Sequence, residues 1–388
     1  MPPLGHIAIG VRIATTPTGT CVEFHSGYAG LQELRASWNH ILHAIAPPRF
    51  FQEWGWYEAY LRHLELHPEN VCFALLTNGA TPIAIVPLQR VTTAFHGLSS
   101  KLWRLPEDAQ LPLADVIAAD GVSGTVLVSA LLDGMQSRRM QWDRMQFTGF
   151  DDSSCLKDFL PMPARVAAGR DILTTCDEVI CDRPWSSFAR RFSPNFRSNL
   201  NKARHKIERD GGASYQVVSA PDEIAALFPE FLRVEASGWK GMAGTHTAVA
   251  LAPQRIGFYQ SLIESFAPVG RIYINTMRFA DRVIAAQFCI TDSDTIYVLK
   301  QGYDESYARL APGNSLLEQL VCWCYATRKF RAINQAGRPQ WFQDWKPEHA
   351  SNIYRLQLFN RTPFGQIHRF KYAAHVRLRG LRGARLFG

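Results

Sequence analysis

Residues 50–88 read FFQEWGWYEAYLRHLELHPENVCFALLTNGATPIAIVPL, and residues 253–290 read PQRIGFYQSLIESFAPVGRIYINTMRFADRVIAAQFCI. In each stretch an aromatic pair, Trp56-Tyr57 or Phe258-Tyr259, opens an amphipathic helical pattern. An apolar strand follows, then a turn (Thr77-Asn78-Gly79 or Phe279-Ala280-Asp281), then a second strand carrying Ile83-Ala84 or Ile284-Ala285. Tyr57 stands 27 residues before Ala84, and Tyr259 stands 26 before Ala285. A helix feeding a hairpin, present twice at one spacing, predicts two copies of a single α/β module.

The rest of the chain fits two domains. A length of 388 residues gives each half enough chain to bury its own core. Hydrophobic residues make up 47% and charged residues 20%, the balance of a globular protein. No apolar run is long enough to span a bilayer. Residues 1–19 lack a basic segment followed by an apolar one, so a cytoplasmic location is expected. The eight cysteines form no CxxC pair and lack clustered histidines. Reduced, buried thiols are expected, without a metal site. The net charge of +8 sits largely in residues 361–388, which hold seven lysines and arginines and no acid, leaving +1 for residues 1–360. Such a body is not a duplex-binding surface.

Residues 1–30 predict two strands, 31–45 a helix stopped at Pro47-Pro48, 151–165 a further helix, and 176–184 a strand and turn. A domain boundary is placed at Pro184. The next helix starts at Ser193 (a good N-cap) with Pro194 in the first helical position, and stops at Gly211-Gly212. Its Arg197, Lys202, Arg204, Lys206 and Arg209 form either a solvated face or a surface gathering an anionic substrate. A helix over 221–237 follows, then the loop Gly238-Trp239-Lys240 to Thr247, then the second repeat.

The segment with chemical content is TIYVLKQGYDESYARLAPGNSLLEQLV, residues 295–321. A strand ends near Lys300. A loop runs through Tyr303, Asp304, Glu305, Arg309, Pro312 and Gly313. A helix opens at Asn314-Ser315, either of which can cap it. Strand, glycine-containing loop and helix N-terminus together aim backbone N–H groups at a phosphate.

The run Arg309-Leu-Ala-Pro312-Gly313-Asn314-Ser315 resembles the R-x-x-G-x-G/A loop with which GNAT-type acyltransferases hold the pyrophosphate of acyl-CoA, with Pro312 and Asn314 at the glycine positions. Five further features occur in the order found in the CelD-like polysaccharide-biosynthesis branch of that family. They are Trp56-Tyr57, the basic stretch Arg197 to Arg209, the loop from Glu235 through Gly238-Trp239-Lys240-Gly241 to Gly244-Thr245, the loop Lys300 to Glu305, and Gly337 with Asp344-Trp345-Lys346.

The resemblance implies an α/β fold with mixed sheets, built as two tandem GNAT-like domains. These are a degenerate one over 1–184 and an acyl-CoA-binding one over 185–360, followed by a basic tail over 361–388. It implies an N-acyltransferase using acetyl-CoA or another acyl-CoA, with a small-molecule or glycan amine as acceptor. The amine would belong to an amino sugar or its nucleotide- or lipid-linked form in surface polysaccharide synthesis.

Asp304 or Glu305 would accept the amine proton, with Glu235 as a further base candidate, and Tyr303 would protonate the leaving thiolate. Lys300, Gln301, Arg309, Pro312, Gly313, Asn314 and Ser315 would bind the acyl-CoA. Trp239, Lys240, Arg197 and Trp345 would meet the substrate. The two-lobed build also resembles the Fem-type transferases, which take an aminoacyl group from tRNA, and the fold could persist in a non-catalytic binding protein. Ile367, Phe370, Ala374, Leu378 and Leu381 form an apolar stripe among the arginines of the tail. It suits a peripheral membrane helix or a contact to an anionic nucleotide, and disorder is equally open.

Overall fold

A computed structural model describes residues 19–95, 98–162 and 165–384. Among the described residues thirteen strands form one mixed sheet: β1 (Thr20–Ser26), β2 (Val71–Asn78), β3 (Thr81–Phe95), β4 (Leu98–Arg104), β5 (Ile117–Ala118), β6 (Arg144–Phe150), β7 (Ala167–Ile180), β8 (Ser214–Val218), β9 (Ile272–Phe279), β10 (Arg282–Asp292), β11 (Thr295–Tyr303), β12 (Ala332–Asn334) and β13 (Glu348–Phe359). Their order is β1-β2-β3-β4-β6-β13-β7-β12-β11-β10-β9-β8, with β5 paired to β3. The helices are α1 (Gly27–Glu33), α2 (Arg35–His43), α3 (Trp54–Ala59), α4 (Gly124–Ser137), α5 (Trp185–Phe188), α6 (Pro194–Arg209), α7 (Pro221–Ala236), α8 (Pro253–Phe266), α9 (Pro312–Thr327) and α10 (Pro363–Ala384).

The duplicated segments occupy corresponding places. β2 pairs with β3 and β9 with β10, both antiparallel. Ala84 lies opposite Leu76 and Ala285 opposite Met277, each beside a bulge. The second hairpin turns at Ala280 and Asp281, both at positive φ, the handedness that follows the twist of paired strands.

The copies also pack on each other. The Trp56 and Phe258 rings meet edge to face at 5.5 Å where α3 crosses α8. A Cβ on Gly55 would stand 2.9 Å from that of Ser265, and one on Gly257 would enter the ring of His63. His63 stands eight residues after Gly55 and Ser265 eight after Gly257, so the contact is reciprocal, as a two-fold arrangement of repeats requires. The aromatic pairs were legible in the sequence; the glycine preceding each is recognised only through this contact.

The sheet does not stop at residue 184. β7, on its N-terminal side, pairs with β12 of the second half, and β13 pairs with both β7 and β6. In the second half, Phe228, Phe231 and Leu262 of α7 and α8 cover Ile274, Phe288 and Ile290 on one face. Leu317, Leu320 and Val321 of α9 cover Tyr273 and Cys289 on the other. Alternate residues along each strand thus point to opposite helix layers, and β10 is buried from Val283 to Asp292.

α6 begins as expected, with the Ser193 hydroxyl accepting the Phe196 N–H, and ends before Gly211 and Gly212 at positive φ. The helix expected over 151–165 is replaced by a 3-10 turn at Cys155–Asp158. Asp151 accepts the Ser153 N–H and Ser154 accepts the Leu156 N–H, so side chains take the donors a helix would use. Pro161 and Pro163 remove two more. The first strand expected within residues 1–30 precedes Gly19 and lies outside the described residues, while the second is β1. The basic tail forms α10 rather than a structureless chain.

The reciprocal glycine contact makes a prediction. Gly257→Ala should cost about 1–3 kcal/mol by overpacking against His63, read as a lowered midpoint in thermal unfolding. His63→Ala should recover most of that loss when combined with it, and no coupling in the double variant would contradict the contact.

Candidate functional site

β11 and β12 run parallel only from Thr295 to Tyr297, opposite Ala332 to Asn334. Beyond Tyr297 the strands part. On its other side β11 stays paired with β10, but Phe288 faces Lys300 and Cys289 faces Val298, leaving Leu299 as a bulge. The free edge of Gln301–Tyr303 therefore opens onto a cleft of about 520 Å³. Glu235, Gly238, Trp239, Lys240, Gln301, Gly302, Tyr303, Glu305, Pro312, Gly313, Asn314 and Trp341 line it, among others. Three sequence segments far apart in the chain are thus brought together. They are the end of α7 with its following loop, the end of β11, and the first turn of α9.

The approach of α7 to β11 requires Gly302, because a Cβ there would collide with the Glu235 backbone. Glu235 is 1% exposed. Its Oε2 accepts the Val249 N–H at 2.8 Å. Its Oε1 accepts no well-formed hydrogen bond and faces the Lys240 ammonium at 3.3 Å. Lys240 Nζ donates to the Gln301 carbonyl at 2.7 Å. This buried carboxylate and its lysine tie the 238–249 loop to the rim of the cleft. Trp239 lies outside that tie at 58% exposure, with its N–H donating to Glu305 Oε1 at 2.9 Å. Lys300 is half-buried behind the rim, and burial together with the nearby Lys240 ammonium lowers its pKa.

α9 starts without a side-chain cap. Ala311, in the left-handed conformation at φ 46°, occupies the N-cap, and Pro312 is the first helical residue. Neither Asn314 nor Ser315 caps the helix, contrary to the expectation from sequence. Asn314 Oδ1 accepts the Trp345 indole N–H at 3.1 Å, and the Ser315 hydroxyl donates to the Leu310 carbonyl at 3.3 Å. The backbone N–H groups of Gly313 and Asn314 thus remain available at the cleft, at the positive end of a 16-residue helix. A Cβ on Gly313 would touch only the Tyr303 ring, at 3.6 Å.

The remaining expected residues stand elsewhere. Asp304 does not reach the cleft. Its Oδ1 accepts the Ser306 N–H and hydroxyl, and its Oδ2 pairs with Arg282 at 3.2 Å. Arg309 points away and pairs with Asp210 at the end of α6, 2.7 Å off. Arg197 lies on α6 away from the cleft lining. Trp345 is 0% exposed, set among Trp185, Phe192 and Phe196, and it orients Asn314 instead of facing a substrate. Trp341 was missed from sequence. It is exposed on the cleft four residues before Trp345, in a 3-10 turn whose other aromatics are buried.

A second cavity of about 750 Å³ lies where the two halves meet, lined by Arg49, Asp115, Asp151, Asp292 and Tyr297 among others. Arg49 bridges both halves, donating to Asp151 at 2.7 Å, Asp292 at 3.0 Å and the Tyr297 hydroxyl at 2.6 Å. Burial pushes the Asp115 carboxyl up to about 7. Among the described residues no His, Cys, Asp and Glu group has the arrangement of a metal site.

Residues 194–344, from α6 to the aromatic turn holding Trp341 and Trp345, match the acetyltransferase (GNAT) domain family. This segment is similar to a GNAT-type acetyltransferase domain. No curated protein matches the chain by sequence. The whole build is similar to the crystal structure of FemX (TM-score 0.53, 9% identity, 85% of this chain and 98% of that one). It is similar also to L-PGS from Bacillus licheniformis (TM-score 0.50, 12% identity, 84% and 92%). A conserved protein of unknown function from Bacteroides thetaiotaomicron VPI-5482 has the same fold (TM-score 0.50, 12% identity, 85% and 97%). Identities this low establish shared architecture. The architecture is a two-lobed α/β GNAT-like fold.

The Asp115 carboxyl makes stability depend on pH. An acid whose folded pKa lies above its unfolded value, ~4, binds an extra proton in the folded state. The contribution of Asp115 to stability is then fully present below ~4 and is lost as pH rises through about 7. Asp115→Asn should therefore raise the melting temperature relative to the wild type at pH ~8 more than at pH ~5. Equal shifts at both would show that Asp115 is not held protonated.

Proposed function

We propose that the protein is an N-acyltransferase that moves an acyl group, acetyl in the simplest case, from an acyl-CoA thioester to an amine. The observation carrying this reading is the uncapped first turn of α9 standing at the mouth of the parted strands. Free N–H groups at a helix N-terminus are suited to a pyrophosphate, and the open edge of β11 can take an extended chain of amide groups leading to a thioester. The polysaccharide-related branch motifs favour an amino sugar, free or nucleotide- or lipid-linked, as the acceptor. The exposed Trp239 ring offers such a sugar a stacking face.

The chemistry is direct aminolysis. The amine nitrogen attacks the thioester carbonyl, the C–N bond forms, the C–S bond breaks, and the amine proton must leave. Glu305 is the base that the geometry favours, since its carboxylate is exposed to the cleft and held in place by the Trp239 N–H. Asp304 is consumed by its turn and Arg282. Glu235 is a positioning residue, fixing Val249 and Lys240. Tyr303, at the end of β11 and in the cleft lining, is placed to give its proton to the departing thiolate. The N–H groups along the open edge near Gln301 are the candidates for polarising the carbonyl oxygen.

Calorimetric titration with acetyl-CoA and with desulfo-CoA tests the donor. Both should bind at micromolar affinity, and Gly313→Trp should abolish binding in a chain that keeps its fold, because the added ring projects past Tyr303 into the cleft. No binding to folded wild-type protein would redirect attention to a tRNA-borne donor, tested by salt-dependent tRNA binding, or to a non-catalytic role. Once an acceptor amine is found by screening amino sugars, Glu305→Gln should lower kcat by about 10²–10⁴ and leave acetyl-CoA affinity unchanged. A wild-type kcat in that variant would remove Glu305 as the base.

A further inference from the structure

A helix lying on a globular body ordinarily buries its apolar stripe and exposes its polar side, and α10 does the reverse. His368 and Tyr372, one turn apart, face the sheet. His368 Nε2 stands 2.9 Å from the Ser100 hydroxyl on β4, and the Tyr372 hydroxyl donates to Asp171 on β7 at 2.9 Å. The Tyr372 ring leans on Phe359 of β13 and fills the space that Gly169 leaves open.

Ile367, Phe370 and Ala374 recur at intervals of three and four on the opposite side. Phe370 is 69% exposed and Ile367 37%, and Ala374 is exposed as well. Leu378 and Leu381 continue the series in sequence. Lys371 and Arg377 border it on the helical wheel, and residues 361–388 carry seven lysines and arginines with no aspartate or glutamate.

We propose that this outward face of α10 is a docking surface for an anionic lipid bilayer, on which the helix lies in the plane of the interface. The apolar stripe would enter the boundary between headgroups and acyl chains, and the flanking cations would meet lipid phosphates. Charge selects this occupant over a second copy of the chain, because pairing two such segments would bring together two stretches that each carry seven cations and no acid. Side-chain chemistry selects it over nucleic acid, since the centre of the face carries Phe, Ile and Ala and the cations lie at its borders. The remaining 360 residues sum to +1, so most of the net positive charge belongs to this one segment. No described helix is long and apolar enough to cross a membrane, so the association is peripheral.

The purified full chain, sedimented with lipid vesicles, tests this. It should bind vesicles of phosphatidylcholine containing about a third phosphatidylglycerol, bind poorly to phosphatidylcholine alone, and be released as salt rises from ~0.1 to ~0.5 M. The double variant Ile367→Glu/Phe370→Glu should lower the partition coefficient at least about tenfold, with an unchanged circular dichroism spectrum and melting temperature because both side chains are exposed. Arg369→Ala/Arg377→Ala should weaken binding less and flatten its salt dependence. Three results would overturn the proposal. They are no partitioning onto the anionic vesicles, wild-type partitioning of the glutamate variant, and a concentration-dependent dimer that the same glutamates dissolve.

Discussion

The parting of β11 from β12 after three residue pairs is the constraint on which the cleft depends. A parallel pair that stayed in register to Tyr303 would close the sheet and leave the first turn of α9 facing a wall of paired backbone. Two local features hold the strands apart. The Leu299 bulge lets β11 turn while it remains bonded to β10, and Gly302 admits the end of α7 against the strand. The sheet thus gives up backbone pairing at one place, and the unpaired edge is where an extended ligand could be bound by main-chain groups.

Around this opening the charged residues divide into those that hold and those that are presented. The buried Glu235 and the partly exposed Lys240 form a pair fastened to Val249 and Gln301. Removing Lys240 would leave the buried Glu235 charge without its partner, which is costly. Their presence fixes the loop that presents Trp239 and, through its N–H, Glu305. Trp345 acts in the same way from below, holding Asn314 so that the α9 N-terminus keeps its orientation. The cleft is therefore preorganised by contacts among its own groups.

The two halves are joined by different means at different depths. Strand pairing through β7 and β13 makes the sheet continuous. Arg49 clamps Asp151 of the first half to Asp292 of the second. The reciprocal contact of Gly55 with Ser265 and Gly257 with His63 brings the two repeated helices close enough for Trp56 and Phe258 to touch. A duplicated module that buries its own repeat contact needs small residues at matching positions, and this chain has glycine at both.

Local pattern, read from sequence alone, was enough for the duplicated hairpins, for α6 with its Ser193 cap, for α7, and for the strand-loop-helix of residues 295–321. These rest on hydrophobic period, capping chemistry and turn residues, all of which act within a few positions along the chain. The clustering of Glu235, Trp239, Lys240, Tyr303, Glu305 and Gly313 in one cleft agrees with the order of motifs. Other outcomes were decided by contacts between distant residues, and sequence reasoning failed there for that reason. Asp304 was drawn away by Arg282 and Arg309 by Asp210, though each looked equivalent to its neighbours in the loop, and Trp345 was drawn into an aromatic core. The helix expected over 151–165 yielded to Asp151 and Ser154 binding their own backbone. The inverted face of α10 was visible as a stripe, but which side of it meets the protein depended on Ser100 and Asp171, brought there from β4 and β7. Periodicity determines which residues share a face, and only the fold determines what that face meets.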